Sequence, residues 1–462
     1  MAPPIPTLAI VGHPNKGKSS IVSTLAQDPS VSISPVSGTT ATNRTFPMVV
    51  DGHVLYKLID TPGFQRARAA LDWMQHHTSS AADHANVVRE FVNQHTDNEK
   101  FSAECQLLTP ILQGAGILYV IDGSTPYGPE YDAEMEILRW TGSPSMALIN
   151  QTGCAEYFED WQVPLSQYFK IVRVFNAQTA DFDRQMQLLS GFAELSEPWR
   201  PSLLQAAEIL RQRRQNQIKQ TTLRIAEMLY AMLQMSERSA IADAEDQTTI
   251  DRCINKFQQK LVNMETVCRK DVEQIFNYQK LERHEQNIQI FSEDLFSEHT
   301  WKLFGLSRDQ LVATGIIGGA AGGAVLDIGS GGLTAFLGSG IGAIIGGVTT
   351  WFGSKQLINT RIMGLPMGGN EVVVGPVSNP NFPWVLMGRA LTHLKYICTR
   401  THAMRDVLAV DHKIEPDFYA HLSMHNKKFL QRFFTMAKSD KASNPGDLLQ
   451  VSEILTKLVQ SD

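Results

Sequence analysis

The chain has 462 residues, a hydrophobic fraction of 43%, a charged fraction of 19% and a formal net charge of −6. That length suits two or three domains with sizeable cores, and the acidic balance argues against a dedicated nucleic-acid binder, which needs clustered Lys and Arg. Cys105, Cys154, Cys253, Cys268 and Cys398 are scattered, without a CxxC pair, which excludes a disulfide framework or zinc site and fits reduced thiols in the cytoplasm.

Residues 1–197 read as alternating strands and helices. Apolar strand-like runs lie at 7–11, 53–59, 117–121, 146–149 and 171–175, with helix-like stretches between them such as 129–140. That order predicts an α/β fold with a mostly parallel sheet covered on both faces. No signal peptide is expected, because the run 8–11 feeds straight into a glycine-bearing loop.

That loop reads Gly12-His13-Pro14-Asn15-Lys16-Gly17-Lys18-Ser19, which fits GxxxxGK[ST] between a strand and a helix. Its backbone N–H groups and the following helix N-terminus face an anion. Lys18 is expected to neutralise the β- and γ-phosphates, and Ser19 to ligate Mg²⁺. Lys16, Gly17 and Ser20 complete the nucleotide-contacting set. Downstream, Ser37-Gly38-Thr39-Thr40 offers a switch threonine, Thr40 by preference, to the same Mg²⁺. Asp60-Thr61-Pro62-Gly63 then ends a strand, with Asp60 holding Mg²⁺ through water and the Gly63 N–H sensing the γ-phosphate.

These three motifs, in this order, resemble the G domains of the Era and tRNA-modification GTPase group over about residues 5–180. The resemblance implies a P-loop fold with a six-stranded sheet, GTP as ligand, and hydrolysis to GDP and phosphate as a regulatory switch. It also implies that Asn15 helps to bind K⁺, which stabilises charge in the transition state; the alternative is that Asn15 only shapes the loop. Phe64 stands where a water-orienting Gln is found in Ras-like enzymes; it cannot orient water by hydrogen bonding, so intrinsic hydrolysis is expected to be slow. The base-recognition motif departs from the family's Asn-Lys-x-Asp. Asn150 is kept, Gln151 replaces the Lys and Gly153 replaces the Asp, so discrimination against adenine could fall. Glu156 is a candidate substitute acceptor. Asn176, Ala177 and Gln178 stand where the last motif is expected.

Residues 65–112 are expected to be helical and mobile. Their histidines His76, His77, His84 and His95 are expected to be solvated helix surface, since no metal-like spacing is paired with carboxylates.

From 198 to the end the chain reads as a mainly helical domain, helical in character from 202 to about 300. It resembles an uncharacterised domain found after Era-like G domains in bacterial proteins, which implies no activity. Arg211, Arg213, Arg214, Lys219 and Arg224 lie in a stretch free of acids, either a solvated face or a contact for anionic lipid or RNA. Residues 311–326 and 333–352 are apolar, glycine-rich runs with Gly315, Gly319 and Gly323, then Gly338, Gly342 and Gly346, at helical spacing. Such spacing predicts a close-packed helical hairpin within 311–353, turned at 327–332. It is expected to touch membrane lipid at the inner face of the cell membrane, or else to be buried core; pairing between two copies is also open. A strand is expected at 371–374. The rival to a membrane-acting GTPase is a soluble ribosome- or RNA-associated one, and the third reading is a nucleotide-binding scaffold.

Overall fold

A computed structural model describes residues 4–13, 16–26, 43–151, 157–177, 180–241, 247–276, 295–296, 300, 304, 348–351, 360–362, 365–367, 370–399, 417–439 and 444–460. Asn15, residues 37–40, Gly153, Glu156, Gln178 and most of the expected hairpin 311–353 lie outside them. The chain divides into two compact units, Met1–Arg213 with Cys398–Arg405, and Arg214–Ile397 with Asp406–Asp462.

The first unit holds a six-stranded sheet in the order β2-β3-β1-β4-β5-β6. Its strands are β1 (Thr7–Val11), β2 (Arg44–Val50), β3 (His53–Asp60), β4 (Gly116–Asp122), β5 (Ser145–Asn150) and β6 (Ile171–Phe175). All neighbours run parallel except β2, which pairs antiparallel with β3 at the edge. The central strands are continuous apolar runs because both faces are covered. Ala9, Val11, Ile117, Tyr119, Ile121, Ala147 and Ile149 pack on one side, and Leu8, Ile10, Leu118, Val120, Met146 and Leu148 on the other. Strand β2 is the one strand of this sheet without a strand-like run in the sequence; Pro47 and polar neighbours obscure it, and an edge strand tolerates a proline that a central one does not.

The helices are α1 (Lys18–Ala26), α2 (Ala67–His77), α3 (His84–His95), α4 (Ser102–Leu112), α5 (Glu130–Trp140), α6 (Phe158–Tyr168) and α7 (Phe182–Leu195). Residues 65–112 are thus helical, and they are well packed: Met74, Val88, Phe91, Leu107 and Leu108 are wholly buried. His77 stacks on Trp73 and His84 on Trp140. No metal-holding group of three His, Cys, Asp or Glu occurs among the described residues.

Helix α8 (Arg200–Gln234) leads into a largely helical region. The expectation that 202 to about 300 is helical in character fails at one place. Strand β7 (Glu237–Ile241) separates α8 from α9 (Gln247–Ile275). Its partner is β11 (Asn370–Val374), a pairing too distant in sequence to be seen locally. The second glycine-rich run is also corrected at its end. Val348–Trp351 is strand β8, antiparallel to β11, and its β-branched and aromatic residues suit a sheet better than a helix. Two short strands, β9 (Thr360–Ile362) and β10 (Leu365–Met367), pair antiparallel. Helices α10 (Phe382–Thr399), α11 (Met424–Lys438) and α12 (Pro445–Gln460) follow.

The second unit buries charge. Arg389 on α10 is 2% exposed and donates to Glu265 on α9 at 2.7 and 3.4 Å, and to Thr300 at 3.4 Å. His393, one turn on, lies 3.3 Å from Glu273. The basic stretch of α8 is partly engaged within the protein. Arg224 donates to Asp271 at 2.7 Å, Arg211 lies 3.9 Å from Glu208, and Arg214 sits over the Phe276 ring. Among the described residues no helix is long and apolar enough to cross a membrane.

Candidate nucleotide-binding site

The loop between β1 and α1 sits at the carboxyl ends of the parallel strands, where open α/β sheets bind ligands. Gly12 adopts φ +141°, and a Cβ there would stand 2.2 Å from the Val120 carbonyl of β4. Only glycine lets the chain turn so close to the neighbouring strand. Gly17, at φ +84°, makes the second turn before α1.

Lys18 opens α1 and is buried. Its Nζ donates to the Gly12 carbonyl at 3.1 Å and the His13 carbonyl at 3.0 Å, so the ammonium is folded into the loop. Burial lowers its pKa to about 8, while the carboxylates of Asp60 and Glu134 pull it back up. Ser19 Oγ donates to Asp60 Oδ2 at 3.0 Å. The register explains the meeting: β1 and β3 run parallel with Ile10 opposite Asp60, so the loop leaving β1 passes the end of β3. One hydroxyl and one carboxylate so close together are a hard oxygen donor set. They suit Mg²⁺, which binds few protein ligands and takes the rest from phosphate and water.

The backbone beyond Asp60 is also fixed. Thr61 Oγ1 donates to the Ile10 carbonyl at 2.7 Å, Gly63 is buried, and Phe64 is a core residue, 1% exposed. Phe64 therefore supplies packing.

At the other end of the loop, Asn150 closes β5. Its Nδ2 donates to the Lys16 carbonyl at 3.3 Å, and its Oδ1 accepts from the Ala177 N–H at 3.4 Å. Asn150 thus ties the phosphate loop to the segment after β6, as the Gln151 N–H donates to the Phe175 carbonyl at 3.2 Å. Ala177 is buried, and its carbonyl accepts from Thr24 of α1 at 2.8 Å; the Asn176 carbonyl accepts from the Ala180 N–H at 2.7 Å. The structure therefore brings Gly12, Lys16–Ser19, Asp60, Asn150, Gln151 and Ala177 to one end of the sheet. Ser20 lies half-buried on α1. Lys16 turns its ammonium to Thr125 Oγ1 at 3.0 Å. Asn15 and Thr40 lie outside the described residues.

Sequence reasoning missed one residue beneath the loop. Glu134 of α5 is 2% exposed; its Oε1 lies 3.0 Å from His13 Nδ1, and its Oε2 accepts from the Tyr119 hydroxyl at 2.9 Å. Burial, then the Glu134 charge, holds the Tyr119 phenol well above its usual range. A lone Glu in an amphipathic helix carries no motif, so only the fold reveals it.

Comparisons with known proteins agree with this geometry. Residues 7–150 match a family described as 50S ribosome-binding GTPase, and residues 163–453 match a domain of unknown function, DUF3482. GTPase Der of Prochlorococcus marinus is 39% identical over 62 residues, which is 13% of this chain and 13% of that protein. The match thus spans far less than two thirds of that relative. Among solved structures, an Aquifex aeolicus Era variant bound to GDP·AlF₄⁻ is 16% identical, covering 59% of this chain and 89% of that chain at a TM-score of 0.28. An SsGBP variant is 20% identical, covering 45% and 57%, at a TM-score of 0.24. Likenesses at that level carry no functional weight. The matched domain and the observed sheet together make the N-terminal unit a P-loop GTPase fold.

Proposed function

The chain belongs to the DUF3482 family, with a P-loop GTPase domain ahead of the family region, and from that premise we propose that it is a GTP-hydrolysing switch whose nucleotide state sets how the C-terminal region engages a partner. The observation that carries the reading is the Ser19–Asp60 contact at 3.0 Å beside the buried Lys18. On this reading the loop amides cage the triphosphate, Lys18 leaves its two carbonyl acceptors for phosphate oxygens, and Ser19, Asp60 and Thr40 hold Mg²⁺. When bound, that ion neutralises charge on the transferred phosphoryl group. Asn150, Gln151, Asn176 and Ala177 frame the base. Asn15 is assigned to K⁺ on the family resemblance alone. Phosphate release from GTP, followed in K⁺ and then in Na⁺, tests both parts. Release in K⁺ that slows in Na⁺ is expected, and none in either salt contradicts the switch.

The finer reading places the partner contact at a membrane surface. Its support is the uncharged glycine-patterned sequence of 311–326 and 333–347; with Val348–Trp351 in a sheet, both runs fall short of the ~20 residues of a full crossing. Contact from one side is therefore the form proposed. A second reading, contact with a ribosome, is favoured by the description of the matching GTPase family. Against it, part of the basic stretch on α8 is engaged with Asp271, Glu208 and Phe276. Liposome flotation set beside ribosome co-sedimentation separates the two.

A further inference from the structure

The chain just after Asp60–Gly63 is gripped by helix α4. Glu104, in the first turn of α4, is 0% exposed, and its Oε1 accepts from the backbone N–H groups of Gln65 at 2.8 Å and Arg66 at 2.5 Å. Those amides lie just ahead of α2, whose N-cap residue Arg66 makes no side-chain cap bond. The opening N–H groups of a helix lack acceptors within it, and a carboxylate is favoured there by the helix dipole. Glu104 places a carboxylate at that end from another helix, bonded to the N-cap N–H and to the N–H before it. Two residues along, the Gln106 carbonyl accepts from Asn43 Nδ2 at 2.7 Å. Asn43 immediately precedes β2, a few residues after the candidate switch threonines. One helix thus holds the main route out of both candidate switch segments.

We propose that α4 sets the switch geometry for hydrolysis, with Glu104 as the positioning residue for the Gly63 backbone. This rests on the reading of the domain as a GTPase. Phe64 is packed in the core and cannot orient water, so positioning near the γ-phosphate falls to the main chain. A main chain is only as fixed as its anchors, and Glu104 fixes it two residues beyond Gly63. A partner that shifts α4 would therefore move the exits of both candidate switch segments together.

The test uses the full chain and four proteins: wild type, Glu104→Ala, Glu104→Gln and Asn43→Ala. Single-turnover hydrolysis at saturating GTP is measured beside GTP affinity. Glu104→Ala is expected to slow hydrolysis about tenfold or more, with affinity within about threefold of wild type, because small misplacements cost rate more than binding. Glu104→Gln keeps a carbonyl acceptor for the two amides and restores most of the rate. Asn43 is exposed, so its loss spares the fold; it is expected to slow hydrolysis about threefold. Glu104→Ala at the wild-type rate overturns the proposal, as does a rate loss matched by an equal loss of affinity. If Glu104→Ala does not fold, Asn43→Ala decides: slowed at unchanged affinity supports α4, and the wild-type rate overturns it. A wild-type protein that does not hydrolyse GTP overturns the proposed function as well, and that is read from its own arm alone.

Discussion

Asn150 stands so close to Gly17 that a methyl group on the glycine would lie 2.1 Å from the asparagine amide nitrogen. The last residue of β5 therefore braces the phosphate loop, and a side chain at the second turn would have to displace the Asn150 amide. Gly17→Ala is expected to weaken GTP binding about 100-fold or more, since it combines a clash with a positive φ that costs roughly 1–3 kcal/mol by itself. Adding Asn150→Ala removes the clash but leaves the strain and also loses the ties to Lys16 and Ala177, so the double variant recovers only part of the loss. Calorimetric titration of GTP into the three proteins measures this. Full recovery in the double variant would show that the backbone turn is not strained.

If Lys18 binds phosphate as proposed, its lowered pKa gives binding a pH limit. Its pKa in the folded protein, about 8, lies below the ordinary 10.5. Between those values the unfolded chain holds a proton that the folded chain has released, so this group makes nucleotide-free stability rise as pH climbs from about 8 to 10.5. Phosphate needs the protonated amine. GTP affinity is therefore expected to fall with pH above about 8, approaching tenfold per unit, as one-proton linkage requires. Glu134→Gln removes a charge that raises the Lys18 pKa, so the fall should begin at lower pH. Titrations from pH 7 to 9.5 check both; a flat wild-type profile contradicts the assignment of Lys18.

The base should be read loosely. Gly153 has no side chain to accept from the guanine N1–H and exocyclic amine, although Asn150 still ties the loop in place. Sites built to bond a substrate amine reject the analogue lacking it by large factors; a site without the acceptor cannot. Inosine triphosphate, which lacks only that amine, is expected to bind within about threefold of GTP. Competition titration measures the ratio. A preference for GTP of about 100-fold would mean that another acceptor serves the base.

Much of this arrangement is legible without coordinates, and the reason is locality. The run Thr7–Val11 ends in a loop whose glycines and lysine follow within eight residues, so strand, turn and chemistry are read together. Strands β4 and β5 carry the continuous apolar runs 117–121 and 146–149 because helices cover both faces, which marks them as parallel and central. What escapes is set by partners far along the chain. Strand β2 hides behind Pro47 because only its edge position makes the proline tolerable. Strand β7 interrupts a helical stretch because β11, far downstream, offers it a ladder. Glu104 and Glu134 sit in ordinary helices, and their roles arise only where the fold lays them against Gln65 and His13.

The buried pair in the second unit makes a stability prediction. Arg389→Ala leaves Glu265 as an uncompensated charge, which is expected to destabilise the protein by about 3–5 kcal/mol. Replacing both partners, Arg389→Met with Glu265→Leu, should cost much less, because no charge is left without its partner. Chemical denaturation followed by circular dichroism reads the two midpoints. Equal losses in the single and double variants would show that the pair's worth lies in its shape.

The most direct measurement is GTP hydrolysis with Mg²⁺ present and then chelated, in wild type, Ser19→Ala and Asp60→Asn. If Ser19 and Asp60 hold the ion beside Lys18, wild type hydrolyses only with Mg²⁺, and each variant loses about 100-fold or more at the same ion concentration. Hydrolysis that persists after chelation, or variants that match wild type, would contradict the account at its base.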